Sequence, residues 1–130
     1  MVSTIVNDET FGDLYLMTLT LNDYLPPEIV IDNCQKGLTL RKKFNRGGTH
    51  IGVARAEQLI LRNHIEPDII RRMVSYFARH EVDKRSPNFG NEDNPSAGYI
   101  AWLLWGGDEG RLWAQNLKSR FPVTMNKRNR

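Results

Sequence analysis

The chain holds a single cysteine, no long apolar run, and no lysine or arginine in its first 35 residues. Each absence removes a class of protein. One thiol, Cys34, forms neither an internal disulfide nor a thiolate metal cluster, which fits a reducing compartment. The longest apolar stretches, Leu14–Met17 and Ile100–Trp105, fall far short of the roughly 20 residues that cross a bilayer, so no membrane partner is expected. The opening Met1–Glu9 lacks a basic region followed by an apolar one, and reads as no secretory signal. No Gly-x4-Gly-Lys-Ser/Thr loop and no His-Glu-x-x-His pair occurs, and no cofactor is implied.

What is present suits one small folded domain. The 130 residues are 40% hydrophobic and include three Trp, four Tyr and five Phe, enough for a core and too much for a wholly disordered chain. Charge is segregated. Residues 1–35 carry six acids and no base, residues 36–85 carry twelve bases against five acids, and the net charge is +3. Such a division attracts a polyanion, or docks one part of the chain on another.

The pattern predicts a mainly α protein: a single small domain of about five helices with a short N-terminal β-hairpin-like element. Residues 1–25 read as an acidic β-like segment, 26–121 as the helical domain, and 122–130 as a basic tail. Leu14–Leu21 alternates as a strand does, and Ser3–Val6 is its candidate partner. Pro26-Pro27 opens a first helix to about Phe44, with Ile31, Cys34 and Leu38 as its buried stripe and Gly37 weakening it. Thr49 caps a second helix ending near Arg62. Pro67 starts a third running to about His80, with Ile69, Ile70, Met73, Val74 and Phe77 on its apolar face. Residues 84–95 are loop. Ser96 caps a fourth helix that ends at Gly106-Gly107, and Asp108 is expected to cap a fifth reaching Phe121.

Four features bear on function. The second and third helices have helix-turn-helix spacing, which would place Arg72, Ser75, Tyr76 and Arg79 on one presented face. An arginine fork suits phosphate and guanine edges, although exposed helix faces are commonly charged for solubility alone. Gly47-Gly48-Thr49 at a helix start, beside Lys43 and Arg46, is a candidate anion seat, or an ordinary boundary. His80, Glu81 and Asp83 are the candidate metal or acid–base group, or simply local caps and ion pairs. Trp102, Trp105 and Trp113 flank Gly106-Gly107 and are either a stacking face or the packing centre; their apolar neighbours Ile100, Leu103 and Leu104 favour packing. Gly98, Gly106 and Gly110 then mark close backbone approach.

The ordered set Arg46-Gly-Gly-Thr49, Gly52-Val-Ala-Arg-Ala56, Arg79-His-Glu-Val-Asp-Lys84, Pro95-Ser-Ala-Gly98 and Ala101-Trp-Leu-Leu-Trp-Gly-Gly-Asp108 carries a resemblance. It resembles an uncharacterised bacteriophage-encoded module, found alone or attached to head-assembly and protease-like proteins. The likeness covers about residues 36–114. It implies a phage context, with a location in the host cytoplasm or the virion, and assigns no catalytic residue.

The first functional expectation is a non-enzymatic binding module. Its partner would be nucleic acid, held through phosphate contacts by Lys36, Arg41, Lys42, Lys43, Arg46, Arg71, Arg72, Ser75 and Arg79. A second is a protein-interaction role, as an assembly component or an inhibitor of a host protein, using the strand-like N-terminus. A third is a metal-dependent hydrolase built on His80, Glu81 and Asp83.

Overall fold

Pro27 sits in extended backbone (φ −63°, ψ 156°) directly before Glu28, so the first helix starts where the ring's missing N–H costs nothing. The computed structural model describes residues 19–122, which form five α-helices and no strand. They are α1 (Glu28–Phe44), α2 (His50–Ile60), α3 (Pro67–His80), α4 (Ala97–Leu104) and α5 (Gly107–Ser119), with short 3-10 helices at Leu21–Tyr24 and Glu81–Arg85.

The expected hairpin falls mainly on residues 1–18, and the tail on residues 123–130, outside the described residues. Its second strand was expected to run to Leu21, and there the chain turns instead. The Thr20 amide and hydroxyl both donate to Asp23 Oδ2, at 2.8 and 3.1 Å, where a 3-10 helix starts. Elsewhere the local signals govern. Asn45 ends α1 in the left-handed region (φ 52°), Thr49 Oγ1 accepts from Gly52 N at 3.4 Å, and Ser96 Oγ accepts from Tyr99 N at 3.0 Å. Two helices end earlier than expected: α2 at Ile60, before Arg62 with φ 54°, and α5 at Ser119.

The cap of α5 differs more instructively. Gly106, not Asp108, precedes the helix, because its φ of 116° is one that only glycine adopts easily. A Cβ on Gly106 would also lie 3.0 Å from the Gly110 Cα and from Val30 Cγ1. Asp108 sits in the first turn and accepts from the Trp102 indole N–H at 2.9 Å and from Lys84 Nζ at 2.8 Å. Burial alone would raise its carboxyl, but the Lys84 and Trp102 hydrogen bonds and the charges of Lys84 and Arg111 hold it below the ordinary range.

The core joins all five helices. α1 packs on α2 and α4, and α3 packs on α5. On α1 the buried positions are Val30, Cys34, Gly37 and Leu40, so the stripe is rotated slightly from the expected one; Ile31 and Leu38 lie half-buried at its margin. Gly37 is not a weak point but the contact itself. A Cβ there would stand 2.9 Å from the Leu104 backbone nitrogen and 3.0 Å from Leu103 Cβ. Trp102 and Trp105 are buried, Trp102 against Phe77 with ring centroids 4.7 Å apart. Trp113 is only half-buried and donates to the Asp23 carbonyl at 3.2 Å.

Gly37→Ala adds about 1 kcal/mol of helix propensity and meets rigid backbone, where overpacking costs about 1–3 kcal/mol. A net destabilisation of about 1–2 kcal/mol is expected, read as a lower urea midpoint. A second expectation concerns Cys34, which is fully buried and donates to the Leu104 carbonyl at 3.4 Å. Burial pushes its thiol from 9.0 to about 12, so the folded state retains that proton longer than the unfolded chain. This contribution is complete below pH 9 and lost as pH rises from about 9 to 12. The denaturant midpoint should fall across that range, less steeply in Cys34→Ala, and the native thiol should resist alkylation at neutral pH.

Candidate functional site

α2 and α3 are joined by the six-residue Leu61–Glu66 connection, longer than the turn of about 3–4 residues that a helix-turn-helix uses, and their main packing partners lie elsewhere, so the expected helix-turn-helix pair is not formed. The space between them is an open cavity of about 860 Å³. α2 and its cap contribute Gly48, Thr49, Ile51 and Arg55. α3 contributes Asp68, Arg71, Arg72, Ser75, Tyr76, Arg79 and His80 along its length. The first turns of α4, with Asp83 and Trp105, complete the lining.

A ladder of flat groups runs through this lining. Tyr76 lies between His80 and Trp105, with ring centroids 4.5 Å from each, and is parallel to Trp105 within 5°. The Arg55 guanidinium is 5.0 Å from the Trp105 ring. Tyr76 is only 5% exposed, and its hydroxyl has no hydrogen-bond partner. Burial pushes this phenol well above its ordinary pKa; Asp83 adds to the rise and Arg79 opposes it. Tyr76 is therefore a neutral donor at any physiological pH.

Arg55 is the unusual cation. It is 8% exposed, bonds Gln58 Oε1 through one terminal nitrogen, and leaves its buried Nε unpartnered. Burial lowers its pKa, and so does the neighbouring charge of Arg72. Guanidinium remains charged regardless, so a buried cation adjoins an exposed one. The two aspartates of the cavity are already engaged, Asp68 by Arg71 and Asp83 by His80 at 3.3 Å. Arg55, Arg72 and Arg79 form no ion pair among the described residues.

The expected basic set therefore divides. Arg72, Ser75 and Arg79 meet Gly48 and Thr49 in one cavity, with Arg71 buried at its edge against Asp68 and the Phe121 ring. Lys36 pairs with Glu92, Arg41 Nε donates to the Gly47 carbonyl at 2.9 Å, and Arg46 donates to Asn94 Oδ1 and the Pro95 carbonyl. Gly47 packs against Ile100 and does not line the cavity. Lys42 and Lys43 are exposed on the last turn of α1, Lys43 lying 5.3 Å from the Phe44 ring.

His80, Glu81 and Asp83 do not converge. His80 faces Asp83, whereas Glu81 turns to Arg111 on α5. Among the described residues no three His, Cys, Asp or Glu side chains gather as a metal site needs. No described helix is long and apolar enough to cross a membrane. Arg55 is the functional candidate that residue patterns miss, and Trp105, read there as packing, also lines the cavity. Arg55 does carry one signal, an arginine beside Ala56 on the face that buries Gly52 and Leu59. Comparison with protein-family models, curated proteins and solved structures gives no match.

An unpaired buried cation is costly to keep, so Arg55→Met should leave the fold as stable as the parent or more so. The thermal midpoint of Arg55→Met checks this: a large fall would mean that Arg55 serves the core rather than the cavity.

Proposed function

We propose that the protein is a non-enzymatic, phage-type module that binds nucleic acid through phosphate contacts seated in the cavity between α2 and α3. One observation supports this most directly. Three arginines without carboxylate partners, Arg55, Arg72 and Arg79, share that cavity with the capped start of α2.

The spacing favours a strand over a lone ion. Arg72 and Arg79 are seven residues apart on α3, about 10 Å along its axis, whereas successive phosphates rise about 3.4 Å along a duplex strand and stand farther apart in an extended single one. Two or three phosphates fit that interval, with Ser75 between the arginines as a further donor. The basic face of α3 lines a recess, so a flexible single strand suits it better than a duplex groove. Base stacking contributes little, because Tyr76 is already held between His80 and Trp105. Affinity is then electrostatic and largely indifferent to sequence.

Anisotropy of short single-stranded and duplex oligonucleotides across a salt series tests the reading. Three phosphate contacts give a log–log slope of about −2 for a single strand, and Arg72→Ala or Arg79→Ala should each reduce its magnitude by about 0.7. Absent or salt-independent binding would remove the proposal.

A further inference from the structure

The cavity is not uniform along its length. At Arg79 it is exposed, whereas at Arg55 it closes over side chains that are more than nine-tenths buried. Arg72, itself exposed, lines the same cavity and is close enough to disfavour the charge on Arg55, so two positive forks adjoin where the buried end opens. Beside them the Tyr76 hydroxyl and the Arg55 Nε are buried hydrogen-bonding groups with no partner. Buried donors are nearly always satisfied, so unmatched ones on two residues that line one recess point to a missing acceptor. The nearest carboxylates of the lining do not supply it, because Asp68 holds Arg71 and Asp83 holds His80.

The acceptor's chemistry follows from access and charge. An internal phosphodiester carries one charge and a chain on each side, so it passes along the exposed arginines without reaching a recessed one. A terminal phosphomonoester carries about −1.5 to −2 at neutral pH and presents three free oxygens. It enters a recess end-on and matches two guanidinium forks bidentately. The rings beside the site are stacked on each other, so nothing there reads the attached base.

We infer that the inner end of the cavity, at Arg55, Arg72 and Tyr76, is a binding site for a terminal phosphomonoester, whose source is the phosphorylated end of a nucleic-acid strand. This rests on the nucleic-acid reading above. Arg55 and Arg72 hold the end phosphate, and Arg79 follows the strand that leads away from it. A free mononucleotide carries the same group and is the other source of that chemistry.

The test compares one single-stranded sequence bearing a 5′-phosphate, a 3′-phosphate or no terminal phosphate, by anisotropy with the full chain. Nucleoside 5′-monophosphate and inorganic phosphate serve as competitors and as direct ligands in calorimetry. One end-phosphorylated form should bind at least about tenfold more tightly than the unphosphorylated strand, as expected for charge-assisted bidentate pairs. Arg55→Met should bring that ratio to about one. Arg55→Lys, which keeps the charge and loses the fork, should recover part of it. Equal binding of all three strands by the parent protein would overturn the end site while leaving the nucleic-acid reading intact. Binding of mononucleotide with no strand binding would overturn the strand source and the nucleic-acid reading, keeping only the phosphomonoester chemistry. No binding of any of these probes would sink both.

Discussion

The approach of α4 to α1 at Gly37 is the contact on which the remaining geometry depends. α4 has only eight residues and could not persist alone, because helix nucleation costs more than two turns return. It survives by burying Ile100, Trp102, Leu103 and Leu104, and only a glycine lets the facing helix come close enough to cover them. Leu104 then reaches the turn before α2, where a Cβ on Gly48 would lie 2.5 Å from its Cδ1. Trp105 follows at once and becomes part of the cavity lining. One backbone contact thus sets both the start of α2 and the ring on which Arg55 lies.

The basic half of the chain does two jobs, and they separate by where the guanidinium finds its acceptor. Arg41 and Arg46 hold carbonyl groups of nearby turns, tying the Asn45–Thr49 connection to α1 and to the segment before α4. Lys84 and Arg111 reach across to Asp108 and Glu81, linking the 3-10 helix at Glu81–Arg85 to α5. These cations are spent on architecture. Those left facing the cavity lower the stability of the free fold through mutual repulsion and burial, a cost that binding sites commonly carry.

Much of the fold was readable from residues because its signals are local. Pro67, Thr49 and Ser96 each start a helix through groups within three positions, and the periodicity of α3 needs no distant partner. The tryptophan block was readable as core because its neighbours are apolar. The start of α5 was not, since Gly106 is required by contacts with Gly110 and Val30 that no local pattern displays. The site was half readable. The helix start at Gly48-Thr49 and the arginine face of α3 were each visible, but their meeting depends on how α2 and α3 diverge. Charge counting also hid that Arg46 is engaged within the fold, because its partners lie 48 and 49 residues away.

The three tryptophans occupy three distinct settings. Trp102 is sealed and bonded to Asp108, and Trp113 looks out at the Asp23 carbonyl. Trp105 alone of the three lines the cavity, stacked on Tyr76 beside the Arg55 charge. An indole's emission responds to the electric field across its ring. A negative guest beside Arg55 alters that field at one fluorophore and leaves the other two as internal references. Trp105 is thereby a native optical reporter of the surroundings of Arg55.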